Sequence, residues 1–390
     1  MEVIVLAGGL GTRLRSAVPD QPKCMADIDG RPFLWYLFRF LARYDVSRVV
    51  LALGYLSEKV TEWASARSWP FELAYSIEDE PLGTGGALLK ALSQCRDESV
   101  VVINGDTLAD VDLDMLMAYH RQNGAAITLT LKRMYSFDRY GTVLVDEDGV
   151  VRSFEEKRPC DEGLINAGVQ VLSPASVIWP SQTDMAVKFS FERELLEPMA
   201  SGGSVQSVET DGYFIDIGVP EDYRRAQIDL PRLFPESLED VAVSGYGVVL
   251  LDRDGVINEL RRGDYVRRWR DFRFKPGVME ALARWEAYGL RVFVVTNQRG
   301  VGRGLMTRQT LDDIHSRMCA EIENYGGHIE GVYVCTAVSD DDPCRKPNTG
   351  MFSQLLSDHP DISPEDCLMI GDSASDMLFA ARCGIAGVRL

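Results

Sequence analysis

Short apolar runs alternate with longer amphipathic stretches over the first third of the chain. EVIVLA (2–7), RVVLALG (48–54) and SVVVING (99–105) read as buried strands, with PFLWYLFRFLARY (32–44) and GALLKALSQC (86–95) as helices between them. Continuously apolar strands are covered on both faces, so this order predicts a mostly parallel sheet flanked by helices. From Ala125 the pattern shifts to hairpin-like pieces, AITLTLKRM, GTVLVDEDGVVRSFEEK and GVQVLS, with DEDG (146–149) as a turn, and a helix around 221–228 closes this part. The two prolines of DLPRLFPESLEDV (229–241) interrupt the pattern. A second alternation then follows: VVLLD (248–252), a helix in 276–289, RVFVVTN (291–297), a helix in 307–325, GVYVC (331–335), GMFSQLLSD (350–358), CLMIGD (367–372) and a helix in 375–384. SPED (363–366) reads as a helix start with Ser363 as N-cap and Pro364 at the first helical position. The expected domains are therefore 1–232 and 246–390, joined by a linker at 233–245.

A chain of 390 residues is long enough for two such domains, each with its own core. Hydrophobic residues make up 46% and charged residues 26%, as in globular proteins. The formal charge of −18 argues against a general nucleic-acid or anionic-membrane surface, so an anionic ligand must be held by local groups. Without a basic, apolar leader or a run of roughly 18 apolar residues, the expected location is the cytoplasm, with no membrane partner. Eight scattered cysteines read as reduced thiols. The expected partners are small molecules, and a homo-oligomer stays open.

In LAGGLGTRLRSAVPDQPKCM (6–25), Gly8, Gly9 and Gly11 follow a strand, and Arg13, Arg15 and Lys23 come soon after. Glycines let backbone N–H groups surround phosphate oxygens, and the bases offset a triphosphate's charge. A Gly-rich turn with surface bases would be the plainer reading of the loop alone. It is joined by EPLGTGGALLKAL (80–92), by Asp106 after VVING, and by Asp216 in GYFIDIGVPEDY (212–223). Two carboxylates at strand ends can hold Mg²⁺, although a single aspartate more often caps a helix or turn.

These pieces, with PK (22–23), FEEK (154–157) and NAG (166–168), resemble the sugar-nucleotidyltransferase family over nearly all of residues 1–230. The resemblance implies nucleotide binding by Leu6, Ala7, Gly8, Gly9, Gly11, Thr12, Arg13, Lys23, Gly83 and Asp106. It implies Mg²⁺ on Asp106 and Asp216, phosphate contacts from Lys23 and Lys157, and sugar contacts from Gly105, Glu156 and Asn166. A sugar-phosphate oxygen would attack the α-phosphorus and expel pyrophosphate, with Arg13 and Lys23 stabilising charge. The first loop looks closest to guanylyltransferases acting on heptose 1-phosphates, so GTP is the expected nucleotide.

LLDRDGVIN (250–258) places Asp252 and Asp254 just past a strand, where α/β sheets bind ligands. One carboxylate can attack phosphorus while the other moves protons, although D-x-D alone also fits an ordinary turn. Followed by Thr296 and Asn297 after a strand, Lys346 in CRKPNTG and GDSASD (371–376), the order resembles the haloacid-dehalogenase phosphatase superfamily. That resemblance implies Asp252 as nucleophile, Asp254 as acid/base, and Thr296 and Lys346 on the phosphoryl group. Mg²⁺ would be held by Asp252, Asp372 and the Asp254 carbonyl. There is no room for a large cap. TNQRGVGRG (296–304) and CRKPNTGM (344–351) look most like capless heptose-bisphosphate and histidinol-phosphate phosphatases, which adds Asn297 and Arg345 as substrate contacts. In CTAVSDDDPCRKP (335–347) only Cys335 and Cys344 remain where such relatives carry zinc ligands. Structural zinc needs about four, so no zinc is expected. The Arg- and aromatic-rich run 261–275 reads as a specificity loop.

The fold expected is thus α/β with two domains: a Rossmann-like nucleotidyltransferase with a mixed sheet, and a haloacid-dehalogenase-like Rossmannoid domain. The two reactions can be consecutive, dephosphorylation of a heptose bisphosphate supplying the sugar 1-phosphate. The alternatives are a hexose-1-phosphate nucleotidyltransferase with an unrelated phosphatase, or with a non-catalytic phosphosugar-binding domain.

Overall fold

Val3, Ile4 and Val5 are fully buried, and the strand they form, Glu2–Leu6, lies inside a seven-stranded sheet. The structure is a computed structural model that describes residues 1–9, 20–180, 188–261 and 264–390. It contains two compact units, Met1–Leu230 and Pro231–Leu390.

In the first unit the sheet runs Val205–Thr210, Ile127–Phe137, Cys160–Leu172, Val100–Asn104, Glu2–Leu6, Arg48–Leu53, Glu72–Ile77. The last four are mutually parallel, whereas Cys160–Leu172 runs antiparallel to both of its neighbours, so the sheet is mixed. Between Asn166 and Gln170 the register shifts, with Gly168 at a φ of +74°. A β-bulge of this kind re-aims the side chains beside it. A separate ribbon pairs Thr107–Ala109 with Phe214–Asp216 and sets Asp216 opposite Thr107. The DEDG turn joins strands Val143–Val145 and Val151–Phe154, and Asp146 Oδ1 accepts from the Asp148 and Val150 amides.

Two local expectations differ from the structure. The helix Pro220–Leu233 continues through Pro231, which removes one backbone N–H from its last turn. Beyond it, Leu238 and Val241 are buried in a core with Val249 and Trp285, so the segment expected as a linker is packed. SPED forms only a 3₁₀ turn, Pro364–Asp366, without a side-chain cap on Ser363. The next residues, Cys367–Gly371, are fully buried as a strand, and sheet pairing overrides the local helix signal.

The second unit is a five-stranded parallel sheet ordered Gly331–Cys335, Arg291–Asn297, Val248–Leu251, Cys367–Gly371, Ala386–Arg389. Its core lies on both faces, around Trp285, Ile314 and Met318 on one and Phe352 and Phe379 on the other. The order in which strands are added reverses between Val248–Leu251 and Cys367–Gly371, and the crevice outside that switch point is where open α/β sheets bind ligands. Among the described residues no helix is long and apolar enough to cross a membrane.

Candidate active sites

In the first unit, strands Glu2–Leu6 and Val100–Asn104 end side by side and open onto a cavity of about 540 Å³. Leu6, Ala7, Gly8, Gly9, Lys23, Gly83, Gly105 and Asp106 line it. Lys23 Nζ donates to Asp106 Oδ2 at 2.7 Å. The ribbon brings Asp216 next to this pair, where its Oδ1 accepts the Gly218 amide at 2.7 Å. Burial, followed by the charge of Asp106, raises the Asp216 carboxyl above the usual range. A carboxylate raised by burial and by a neighbouring carboxylate suits a divalent cation with substrate phosphates completing its shell. A second cavity of about 160 Å³ shares Asn104 with the first and is lined by Arg139, Tyr140, Lys157, Asn166, Glu192 and Asp216.

In the second unit, Asp252 follows the central strand and Asp372 follows its neighbour, held by strand pairing. The ligand oxygens of Asp252, Asp372 and Asp376 all lie within 4.8 Å of one another. Gly255, at a φ of +88°, lets Asp372 approach, because a Cβ there would collide with Asp372 Oδ2. Buried Lys346 places Nζ 3.0 Å from Asp252 Oδ1 and 2.5 Å from Asp376 Oδ1. Asp376 Oδ2 accepts from the Ser373 amide and hydroxyl, so both its oxygens are engaged. That makes Asp376 the residue that holds Lys346 and leaves Asp252 and Asp372 to face a cation. Burial outweighs Lys346 and raises Asp252, and burial followed by Asp376 pushes Asp372 up to about 6. Burial opposes the Lys346 charge, but Asp252 and Asp376 outweigh it. A buried excess of negative charge of this kind fits Mg²⁺.

Residues 2–232 match the nucleotidyl transferase family, and residues 133–384 match haloacid dehalogenase-like hydrolases. The chain belongs to the nucleotidyl transferase family and carries a haloacid dehalogenase-like hydrolase domain. The hydrolase match runs back into the first unit, although the parallel sheet bearing Asp252 lies wholly within the second. A D-glycero-alpha-D-manno-heptose 1-phosphate guanylyltransferase from Aneurinibacillus thermoaerophilus is 45% identical over 59% of this chain and 98% of its own length. HddC from Yersinia pseudotuberculosis, also solved with GMP-PN, is 36% identical over 58% of this chain and 97% of its own, at a TM-score of 0.53. A D,D-heptose 1.7-bisphosphate phosphatase from B. bronchiseptica, solved with magnesium and phosphate, is 33% identical over 36% of this chain and 78% of its own, at a TM-score of 0.34.

In this nucleotidyl transferase, several expected site residues fall elsewhere than the sequence suggests. Gly11, Thr12, Arg13 and Arg15 lie outside the described residues. Glu156 is exposed and lines neither cavity. Asn297, expected at the substrate, clamps the Lys346 backbone instead: Oδ1 accepts its N–H and Nδ2 donates to its C=O, each at 3.0 Å. Asn297→Ala is expected to slow phosphate release by about 10- to 100-fold with little change in KM, measured by steady-state kinetics, because Lys346 loses its alignment. Arg345 and Arg299 both pair with Asp340, and each keeps a buried N–H unpaired among the described residues. Thr296 is fully buried, and its Oγ1 accepts from Gln298.

Asp254 is held from all sides, by Arg253 on both oxygens, Asn258 at 2.9 Å and Gln298 at 2.7 Å. Burial opposes its ionisation, yet Arg253 and these donors outweigh it and keep the carboxyl below the usual range. Buried Arg253 also meets His315 Nε2 at 3.0 Å. Burial, then Arg253, pushes the His315 imidazole down to about 3, so it faces Arg253 as a neutral acceptor. The expectations missed Asp376 as the holder of Lys346, and Gln298 and Asn258 as holders of Asp254. GDSASD had displayed Asp376, but nothing in spacing pairs Gln298 with Asp254.

Asp252 and Asp372 titrate higher in the folded chain than in the unfolded one, so the folded state binds more protons from about pH 4 to pH 7. Their contribution to the stability of metal-free protein is therefore lost as pH rises through that window. Mg²⁺ is expected to raise Tm more at pH 8 than at pH 5, and Asp372→Asn to flatten the difference, as thermal unfolding in chelator and in Mg²⁺ would record.

Proposed function

We propose that this chain is a cytoplasmic bifunctional enzyme, with residues 246–390 removing the 7-phosphate of D-glycero-D-manno-heptose 1,7-bisphosphate. Residues 1–232 then transfer GMP from GTP to the resulting 1-phosphate, giving GDP-heptose and pyrophosphate. One observation carries the reading. A first unit alike to nearly the full length of a heptose 1-phosphate guanylyltransferase shares a chain with a second site of converging acids around Lys346.

In the second unit an Asp252 carboxylate oxygen attacks phosphorus, and the bond to the sugar oxygen breaks as that oxygen takes a proton through Asp254, which is held ionised by Arg253 and so must first draw that proton from solvent as substrate binds. Lys346, pinned by Asp376 and Asn297, and Thr296 hold the transferring phosphoryl. Asp254, again ionised, takes a proton from the water that cleaves the aspartyl phosphate, which frees inorganic phosphate and restores Asp252. Arg345 and Arg299, drawn together on Asp340, suit the substrate's second phosphate.

In the first unit the sugar phosphate lies by Lys157 and Asn166, and its oxygen attacks the α-phosphorus while pyrophosphate leaves on the side of the glycine loop. Lys23 offsets the growing charge. Mg²⁺, when bound to Asp106 and Asp216, or to Asp252 and Asp372, supplies charge neutralisation for the phosphates in each site.

The test offers the protein heptose 1,7-bisphosphate with each nucleoside triphosphate in turn and follows phosphate and pyrophosphate separately. The expected result is phosphate release with any nucleotide and pyrophosphate release with GTP. A mannose-1-phosphate guanylyltransferase from Mycobacterium tuberculosis is 33% identical over 60% of this chain, so mannose 1-phosphate is the control sugar. Faster turnover of mannose 1-phosphate would replace the heptose. No phosphate from any sugar bisphosphate would make the second unit a binding module.

A further inference from the structure

The second unit buries a positive charge that its reaction does not touch. Arg253 stands between Asp252 and Asp254 in the chain, yet its side chain is 0% exposed while that of Asp254 keeps 23% of its surface open. A phosphate entering from solvent therefore meets Asp254 and not Arg253. A buried guanidinium is costly unless its N–H groups find acceptors. Nη2 donates to the two oxygens of Asp254 at 2.9 and 2.8 Å, and Nη1 donates to His315 Nε2 at 3.0 Å. Nε has no partner among the described residues.

Among the described residues, His315 is thus the one side-chain acceptor this guanidinium has besides the acid it holds. His315 lies on the helix Arg308–Tyr325, whose Ile314, Met318 and Ile322 share a core with Val249 and Leu251 of the strand that runs into Asp252. The acceptor is therefore carried by a packed element. Burial, then Arg253, keeps the imidazole neutral, as an acceptor must be. A planar guanidinium gripped at both ends of its fork cannot turn. Gripped by Asp254 alone, it would leave Nη1 and Nε both without acceptors, and arginine and acid would turn together. Asn258 and Gln298 also donate to Asp254, but each is neutral and supplies a single bond, weaker than a charge-assisted one.

We infer that His315 is a positioning residue of the phosphatase reaction, which acts through Arg253 to hold Asp254 where protons pass to the leaving sugar oxygen and from the attacking water. The inference rests on the reading of the second unit as a phosphatase working through Asp252 and Asp254. Its consequence is selective. Lys346 and Thr296, not Asp254, hold the phosphoryl group, so substrate binding should be spared while both proton transfers suffer. The two transfers separate when the leaving group is stable as an anion. From p-nitrophenyl phosphate, the bond from Asp252 to phosphorus forms as p-nitrophenolate leaves with its electron pair, and no proton is needed. The water that then cleaves the aspartyl phosphate still gives its proton to Asp254, so only this second step depends on the acid's position.

The test compares the parent with His315→Leu and His315→Gln on heptose 1,7-bisphosphate and on p-nitrophenyl phosphate. His315→Leu removes the acceptor and should lower kcat on the sugar bisphosphate about 10- to 100-fold with KM unchanged, the cost of misplacing a proton-transfer group by about an ångström. On p-nitrophenyl phosphate the ratio of the first-turnover rate to the steady rate should rise by about 10-fold or more, because only the second step is slowed. His315→Gln returns an amide oxygen to Nη1 and should recover most of the rate on both. Arg253→Lys keeps a charge beside Asp254 without a fork for His315, and should repeat the His315→Leu pattern even where the leucine variant fails to fold. Parent kcat in His315→Leu, equal slowing of both steps, or no recovery in His315→Gln would leave His315 a filler of the core, with the phosphatase reading intact. No phosphate from either ester with the parent protein would remove that reading and this one with it.

Discussion

Asp252→Asn is expected to abolish phosphate release from a sugar bisphosphate, by at least about 10³-fold, while leaving nucleotidyl transfer to a supplied sugar 1-phosphate intact. The amide keeps the shape of the side chain but cannot attack phosphorus, and loss of a covalent nucleophile removes most of a site's rate enhancement. The substitution should not unfold the chain. Asp252 is raised by burial and by three neighbouring acids, so a neutral side chain relieves repulsion, while Lys346 keeps Asp376 as its partner. Unchanged or higher Tm in chelator, together with lost phosphate release, is the expected pair of results. Persistent release would remove Asp252 from the role of nucleophile.

Asp216→Asn is expected to cut pyrophosphate formation by about 10²- to 10³-fold and to raise the Mg²⁺ concentration needed for half-maximal rate. Among the described residues no lysine is bonded to its carboxyl, since Lys23 is bonded to Asp106. Asp106→Asn should be as severe and should also release Lys23. In both variants phosphate release by the second unit should continue at the parent rate, a control that separates loss of one site from collapse of the chain. A Mg²⁺ titration of pyrophosphate release checks both. An unchanged half-maximal concentration in Asp216→Asn would remove that residue from the cation site.

The legible parts of both sites are those tied to a strand end. Ala7 to Gly9, Asp106, Asp252, Thr296 and Asp372 each follow an apolar run, and in a parallel sheet such runs deliver their next residues to one edge. Asp216 was legible as a partner of Asp106 on one cation, but not the ribbon that joins them, because it is a pairing of segments far apart in the chain. Glu78, which lines the larger cavity of the first unit, gave no signal among three successive acidic positions. Only the sheet order and the Leu82 amide separate it from exposed Asp79 and Glu80. Phe189 shows the same limit. Its ring lies where Gly85 has no Cβ, and its backbone exchanges bonds with Leu82 and Gly85, a contact that neither segment announces.

Local order in the sequence determined which side chains arrive at the ends of strands, since continuous apolar runs and glycine-bearing loops are written in consecutive residues. Which of those side chains meet was decided by the folded chain. Register, sheet order and buried hydrogen bonds act between residues distant in sequence, and they turned Asp376 toward Lys346, Gln298 toward Asp254 and Asn297 toward a backbone rather than a substrate.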